Sequence, residues 1–438
     1  MVALLIIRNG RVIDPVQKLD QKLDVVIERG RILELACRRS RVPKSATVID
    51  ARGLWVLPGL IDLHVHLREP GNVRAESIAS GTRAAAAGGF TRVVCMPNTN
   101  PVLDRPERVR DLLGRIRRRA LIKVTPTAAL SVGLEGKKST DIQALIQAGA
   151  GALTDDGKGT RRGSVLAWAL RQTARVGLPV LVHCEDHRLS KGGVMNAGRL
   201  ADSFGLPGYS TAAEWVRVRR DVALLRANGG RLHIQHVSTQ RALNEIRAAK
   251  KQGLSVTCEV TPHHLFLADA DIPVINQGTG PDPNFKVNPP LRDRRNQRAL
   301  QEALADGTVD ALATDHAPHT RSAKSQDFLA APFGMIGLET AFPLLLSLVW
   351  QRRLPLMRAV ELVTAGPAGI LRIDAGTLRP GAPADLCLWD PDRYWTVVPR
   401  RLHSRSANTP FSGWRLRGRA QYTVIDGRPM SHQAHGRE

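Results

Sequence analysis

The chain has 438 residues, of which 43% are hydrophobic, so it is long enough for one large domain and a smaller one. Its five cysteines are scattered and contain no Cys-x-x-Cys pair, which argues against a disulfide framework or a zinc ribbon and favours a reducing cytoplasm. The N-terminal apolar run is too short for a signal peptide, and no run of about 20 apolar residues could span a bilayer. We therefore expect a soluble, cytoplasmic protein without a membrane partner.

The formal net charge of +23 raises nucleic acid as a partner. The basic residues, however, are spread over amphipathic segments such as 107–119 and 214–227, and aromatic residues make up only 4% of the chain. We interpret the charge as a solvated, arginine-rich surface that speeds the approach of an anionic substrate. Nucleic-acid binding is not expected.

The two ends of the chain share one pattern. Residues 2–56 and 377–429 contain short alternating strands separated by glycine and aspartate turns, which predicts that they pair with each other. We expect a composite β-sandwich domain formed by residues 1–56 and 372–438. A second domain, residues 57–371, would then be inserted between its halves.

The inserted region alternates short apolar runs with helix-period segments, the pattern of repeated βα units. The intervening segments, such as SIASGTRAAAAGG, are rich in alanine and leucine and end in glycine, as helices do. Eight such units predict an α/β fold of the closed (β/α)8 type, the TIM barrel. The strands are predicted within 60–66, 91–98, 122–130, 151–156, 179–186, 231–238, 255–264 and 310–319.

A loop at 273–293 interrupts this regularity. It is too rich in glycine, proline and asparagine for a helix, and it ends in polar residues. We expect it to lie over the mouth of the barrel.

The first predicted strand carries a pair of candidate metal ligands. Alternate side chains of a strand point the same way, so His64 and His66 can share one metal ion. Arg68, two residues further along, would face the same cavity and offer a planar cation to a substrate carboxylate.

Further candidate ligands follow other strands, where a TIM barrel builds its active site. Four imidazoles and two carboxylates suit a pair of zinc ions, with one carboxylate bridging them. The candidates are His64, His66, Asp155 or Asp156, His183, His236 and Asp315. Four other histidines, namely His233, His263, His264 and His316, are predicted to pack near the site without holding metal.

With this set of candidate ligands, the chain resembles the dihydroorotases of the amidohydrolase superfamily. It is similar to the bacterial subgroup that has an aspartate where relatives carry a carbamylated lysine between the metals. The resemblance covers nearly the whole chain, with the motifs in the family's order. They are PGLIDLHVHLREPG, AAAAGGFTRVVCMPNTNP, LTDDG, VHCED, HIQHVS, EVTPHHL, KVNPPLR, ATDHAPH, FGMIGLET, GAPADL and NTPFSG.

The resemblance implies a role for each matching residue. One zinc ion would be held by His64, His66, Asp156 and Asp315, and the other by Asp156, His183 and His236. Asp315 would also be the catalytic proton carrier. Substrate contacts are implied for His66, Arg68, Asn98, Asn288, His319, Phe333 and Gly334. The family's bridging lysine is absent from the LTDDG motif, and the slightly long 273–293 loop leaves the loop contacts open.

The activity implied is the zinc-dependent, reversible interconversion of (S)-dihydroorotate and N-carbamoyl-L-aspartate in pyrimidine biosynthesis. A hydantoinase or allantoinase would keep the same metals but act on a neutral ring, for which Arg68 has no obvious partner. A non-catalytic scaffold for aspartate carbamoyltransferase is the alternative from another class, although such proteins tend to lose metal histidines and here all are present. The resemblance also allows aspartate carbamoyltransferase as a partner of the active enzyme, and a homo-oligomer.

Overall fold

The computed structural model describes residues 4–37, 43–275 and 280–432, and within them the chain forms twenty strands and fourteen α-helices. The strands are β1 (Leu4–Asp14), β2 (Leu19–Glu28), β3 (Arg31–Ala36), β4 (Thr47–Asp50), β5 (Trp55–Pro58), β6 (Leu60–Val65), β7 (Phe90–Cys95), β8 (Lys123–Ala128), β9 (Ala152–Thr154), β10 (Val180–Val182), β11 (Met195–Asn196), β12 (Gly208–Tyr209), β13 (Leu232–Ile234), β14 (Val256–Val260), β15 (Val274–Ile275), β16 (Gly280–Pro281), β17 (Ala311–Leu312), β18 (Leu386–Thr396), β19 (Arg415–Ile425) and β20 (Arg428–Ser431). The helices are α1 (Ile78–Ala87), α2 (Pro106–Arg119), α3 (Ile142–Gln147), α4 (Gly163–Ala174), α5 (His187–Ser190), α6 (Arg199–Ser203), α7 (Ala212–Asn228), α8 (Gln240–Lys251), α9 (Pro262–Phe266), α10 (Arg294–Ala305), α11 (Arg321–Lys324), α12 (Ala341–Trp350), α13 (Leu356–Glu361) and α14 (Ala365–Leu371).

Eight parallel strands form the barrel. Hydrogen bonds join them in the order β6, β7, β8, β9, β10, β13, β14 and β17, and a parallel bridge between Val65 and His316 links the last strand region back to the first. Seven of these strands lie within the predicted segments, and β7 begins one residue before its segment, at Phe90. The predicted TIM barrel is therefore confirmed.

The helices around the barrel follow the predicted pattern. In α8 the buried residues Ala242, Leu243, Ile246 and Ala249 recur with helical spacing, so one face packs on the strands. The Thr239 side chain accepts a hydrogen bond from the backbone at Ala242 and begins this helix. The predicted helical segments are thus confirmed by packing and by capping.

The two chain ends form a single sheet domain. Its strands pair in the order β20, β19, β18, β5, β1, β2 and β3, with β4 beside β1. Successive side chains of β5 point to opposite faces of the sheet, and both faces are buried. Val56 packs in the core of the sheet domain, whereas Trp55 and Leu57 pack in the core of the barrel. The β-sandwich expected from the sequence is therefore a single hydrogen-bonded sheet, built from both termini and packed against the barrel.

Gly59 connects the two domains. It lies between β5 and β6, and a Cβ atom at this position would be 2.1 Å from Oγ1 of Thr91. Only glycine lets the chain pass so close to the start of β7. The predicted boundary between residues 56 and 57 falls inside β5, and the division of the chain into 1–56 plus 372–438 and 57–371 stays a prediction.

The predicted mouth loop contains little regular structure. Its described parts form the two-residue strands β15 and β16 and a 3-10 turn over Pro283–Phe285, while residues 276–279 lie outside the described residues. No helix in the described parts of the chain combines the length and the apolar character needed to cross a bilayer.

Candidate active site

A cavity of about 180 Å³ opens at the carboxyl ends of the barrel strands. All seven predicted substrate-contacting residues line it, together with five of the six predicted metal ligands. The sixth ligand, His64, lies deeper and is fully buried. The structure thus brings every predicted site residue to one place, as parallel strands do when their carboxyl ends share one edge of a sheet.

His64 and His66 lie around the carboxylates of Asp156 and Asp315. The Nε2 atom of His64 is 3.3 Å from Oδ1 of Asp156 and 3.5 Å from Oδ1 of Asp315. The Nε2 atom of His66 is 3.6 Å from Oδ2 of Asp156 and 3.2 Å from Oδ1 of Asp315. These four donors come from the ends of three strands, β6, β9 and β17, and converge on one point.

Asp156 also faces a second pair of imidazoles. Nδ1 of His183 lies 2.9 Å from Nε2 of His236, and these atoms are 4.0 Å and 3.8 Å from Oδ1 of Asp156. Asp156 therefore stands between two histidine pairs, and a carboxylate in that place can bridge two ions.

The donor set fits borderline divalent cations. His64, His66 and Asp156 have ligand atoms within 4.8 Å of one another, and so do Asp156, His183 and His236. Nε2 of His64 is buried and has no hydrogen-bond partner among the described residues, although two carboxylates lie within 3.5 Å of it. Imidazole and carboxylate donors at such spacing suit zinc.

Glu259, on β14, fixes the orientation of His64, and sequence reasoning gave it no role. Its Oε1 lies 3.0 Å from Nδ1 of His64, and its Oε2 lies 3.0 Å from Nε2 of His233. Burial opposes ionisation, but the hydrogen bonds from His233 and His64 prevail and lower the pKa of Glu259 to about 2. A carboxylate on the far nitrogen leaves Nε2 of His64 directed at the metal position.

Two further side chains connect predicted metal ligands with predicted substrate contacts. The amide of Asn98 has its Oδ1 2.9 Å from Nδ1 of His66, and its Nδ2 donates to Oδ2 of Asp156 at 3.4 Å. Glu185, which also received no predicted role, lies 3.0 Å from Nε2 of His183 and accepts a hydrogen bond from Nδ2 of Asn288. Hydrogen bonds therefore link predicted metal ligands to predicted substrate contacts at two places in the site.

The two central carboxylates stay ionised in spite of burial. Burial alone would raise the pKa of Asp156, but the nearby imidazoles of His64 and His236 hold it well below its usual range. The same competition, dominated on the lowering side by His64 and His66, keeps the pKa of Asp315 below its usual range. Ionised carboxylates are the form that binds cations.

The other side of the cavity is arranged for an anion. The Arg68 guanidinium is held by the carbonyl oxygen of Pro318 and approaches Nε2 of His319 to 3.3 Å. Nε2 of His319 also lies 2.7 Å from the carbonyl oxygen of Phe333. Burial, reinforced by Arg68, lowers the pKa of His319 to about 3, so this imidazole is neutral at neutral pH. The side chain that carries positive charge here is Arg68.

Gly334 and Asn408 complete this side. A Cβ atom at Gly334 would lie 2.6 Å from Cβ of Ala317, and φ is +131°, so glycine is required. The Asn408 amide donates to the carbonyl oxygens of Ala317 and Gly334, and its oxygen accepts from the His319 amide. Asn408 lies in the NTPFSG motif, but only the structure shows that it positions these residues.

Three site residues have left-handed backbone conformations that side chains seldom adopt. The φ angles are 56° for Arg68, 32° for His236 and 47° for Asp315. Non-glycine residues with such angles are uncommon and cluster at functional sites. Here they turn side chains into the cavity just beyond the strands.

Most of the neighbouring polar residues are occupied elsewhere. Asp155 accepts hydrogen bonds from the backbone and hydroxyl of Ser131, and points away from the ligands. His264 contacts Thr261 and the carbonyl of Pro289, and His316 contacts Glu76. His233 bonds Glu259, while His263 is buried with Nε2 unpartnered among the described residues.

Comparison with known proteins agrees with this site. A Dihydro-orotase-like family model matches residues 53–242, and an Amidohydrolase family model matches residues 156–430, so the chain is an amidohydrolase. A dihydroorotase of Anaeromyxobacter dehalogenans (strain 2CP-1) is 47% identical over 428 residues, 98% of each chain. One of Syntrophus aciditrophicus is 43% identical over 424 residues, 97% of this chain and 98% of the relative. The chain belongs to the dihydroorotase family.

Solved structures show the same fold. An L-hydantoinase (dihydropyrimidinase) from Arthrobacter aurescens matches with a TM-score of 0.87 at 24% identity, covering all of this chain and 98% of that one. A dihydropyrimidinase from Brevibacillus agri matches with a TM-score of 0.85 at 24% identity, covering 98% of this chain and 95% of that one. At this level of sequence identity, the similarity establishes the fold alone, a barrel with a sheet domain.

We predict that Glu259→Gln weakens metal binding about 10–100-fold, because the neutral amide is a poorer partner for the two imidazoles it orients. The affinity is measured by competition with a chelator, and circular dichroism checks the fold. Glu339→Gln is the matched control, since Glu339 pairs with the imidazole of His403 outside the cavity. Equal metal affinity in both variants and the parent would contradict the role of Glu259.

Proposed function

We propose that this chain is a dihydroorotase, which opens and closes the cyclic amide of (S)-dihydroorotate to and from N-carbamoyl-L-aspartate in pyrimidine biosynthesis. One observation carries the proposal: a cluster of metal ligands that shares Asp156 faces an arginine, Arg68, across the same small cavity. A cyclic amide that bears a carboxylate matches both halves of that cavity. Relatives named dihydroorotase over nearly the full chain support the assignment.

We propose that the site holds two zinc ions. His64, His66, Asp156 and Asp315 would hold one, and Asp156, His183 and His236 the other. Two such ions supply activation of a shared water and polarisation of the amide carbonyl. Asp156 replaces the carbamylated lysine of other amidohydrolases, which agrees with the absence of lysine among the described residues that line the cavity.

Asp315 is proposed as the proton carrier. It is ionised, buried beside His64 and His66, and open to the cavity on one side. An ionised carboxylate at that position can accept a proton from the attacking water and return it to the leaving ring nitrogen. Ring closure follows the same path in reverse.

The remaining residues position the substrate. Arg68 and Asn98, with His319 beside them, would bind the ring carboxylate, and Asn288 and the backbone of Phe333 and Gly334 would contact the ring. Binding at this non-reacting end holds the amide over the ligand cluster.

The alternatives fit less well. A hydantoinase or allantoinase acts on a neutral ring, and would leave Arg68 in the cavity without an anionic partner. A scaffold without activity does not need six ligands in this arrangement.

Three finer predictions stay proposals. We place the protein in the cytoplasm. Its cysteines are free in the described structure, four of them buried, and unpaired cysteines are typical of a reducing compartment. Association with aspartate carbamoyltransferase and assembly into a homo-oligomer rest on the family resemblance.

The function is tested by assaying ring opening of dihydroorotate, hydantoin and allantoin on one sample whose metals are also measured. We expect turnover of dihydroorotate, about two zinc ions per chain, and joint loss of metal and activity in His183→Ala. Reconstitution should not require bicarbonate, because no lysine needs carbamylation. Preference for a neutral ring, full activity without metal, or strict dependence on bicarbonate would each refute a part of the proposal.

Asp315→Asn should lower kcat about 100-fold or more, because the amide cannot carry the proton. Metal analysis of the same sample separates this effect from loss of a ligand. The matched control is Asp221→Asn, which alters a buried carboxylate paired with Arg220 on α7. Near-normal turnover with full metal would move the proton carrier to another residue.

Arg68→Met tests recognition of substrate charge. The change removes a charge-assisted contact that contributes about 2–5 kcal/mol in a partly desolvated site, so turnover of dihydroorotate should collapse. Metal content should persist, and any activity on an uncharged cyclic imide should fall much less. Equal losses on both substrates would show that Arg68 only supports the architecture of the site.

A further inference from the structure

Two lysines are buried beside the cavity and take no part in the chemistry proposed above. Lys286, in the KVNPPLR motif, is 3% exposed, and Lys324, at the end of α11, is 7% exposed. Lysine is almost never buried to this extent unless it is paired. Their environment therefore requires an explanation.

Main-chain carbonyl oxygens surround both ammonium groups. Nζ of Lys324 donates to the carbonyls of Pro283 at 2.8 Å and Pro332 at 2.8 Å, and approaches that of Lys286 at 3.3 Å. Nζ of Lys286 donates to the carbonyls of Leu329 at 2.9 Å and Ala331 at 2.6 Å. The two side chains thus join the segment 283–286 to the segment 329–332, as a bound cation would.

The joined segments lead directly into the cavity wall. The Gly334 amide donates to the carbonyl of Lys286 at 2.9 Å, and Nζ of Lys286 lies 4.5 Å from the ring centroid of Phe333. Phe333 and Gly334 line the cavity, and the Phe333 carbonyl contacts His319, which stands beside Arg68. A continuous set of contacts therefore runs from the two lysines to the side of the cavity that contains Arg68.

We propose that Lys286 and Lys324 are positioning residues: they form a two-lysine clamp that holds Phe333, Gly334 and His319 in the geometry that binds the substrate. The inference rests on the proposed function for the identity of the substrate. Neither ammonium lines the cavity, so the lysines act through the backbone they hold. Without them, five carbonyl contacts, three of them buried, would lose their donor, and the segment would relax.

Lys286→Met and Lys324→Met keep most of the side-chain volume and remove the ammonium. We expect KM for dihydroorotate to rise about tenfold or more in each, because small displacements of positioning groups are costly, while kcat changes much less and zinc content stays at the parent level. The control is Lys250→Met, whose Nζ binds the Thr308 carbonyl and Asp310 at the opposite end of the barrel. This variant should lose some thermal stability and keep its KM.

Hydrogen exchange gives a readout that does not depend on activity. In the two clamp variants the amides of Ala331 and Gly334 should exchange faster, while those of β6 and β13 stay protected. Lys324→Arg keeps the charge and the hydrogen-bond donors, so it replaces Lys324→Met where the Met variant folds poorly. Its KM for dihydroorotate should lie closer to the parent value. Unchanged KM in the folded variants would overturn the clamp, whether or not exchange is faster. A parent enzyme that does not turn over dihydroorotate would instead refute the proposed function, and the exchange data would still show whether the lysines hold the segment.

Discussion

The site depends on one electrostatic balance: two carboxylates and four imidazoles are buried together, and the ionised carboxylates could not be buried alone. An ionised carboxylate in a protein interior pays a large desolvation penalty unless opposite charge or hydrogen-bond donors surround it. Asp156 and Asp315 meet this condition only because the ends of different strands bring His64, His66 and His236 around them. The barrel makes this possible, since its strands are held in a fixed parallel order by backbone hydrogen bonds.

Hydrogen bonds from residues around the candidate ligands fix the positions of the imidazoles. Glu259 holds His64 from one side, Glu185 holds His183 from another, and Asn98 lies between His66 and Asp156. Each of these side chains satisfies the nitrogen of an imidazole that faces away from the cavity, or joins a ligand to a neighbour. These hydrogen bonds therefore orient the imidazoles, which lowers the cost of binding a metal ion there.

The sequence could predict that the candidate ligands lie close together, because their signal is local. His64 and His66 share a strand, and Asp156, His183, His236 and Asp315 each follow a recognisable apolar run, so the parallel order of the strands was enough to bring them together. Glu259 and Glu185 could not be assigned in the same way. Their value comes from which histidine they contact, and that depends on strand neighbours and on side-chain directions that spacing along the chain does not contain.

On the side of the cavity that contains Arg68, the role of Asn408 could not be predicted from the sequence for the same reason. Asn408 lies in the connection between β18 and β19 of the sheet domain, yet its amide holds the backbone of Ala317, His319 and Gly334. The β-rich domain formed by both chain ends therefore does more than cover the barrel. By returning the C-terminal part of the chain to the barrel mouth, it supplies the side chain that hydrogen-bonds the backbone on the Arg68 side of the cavity.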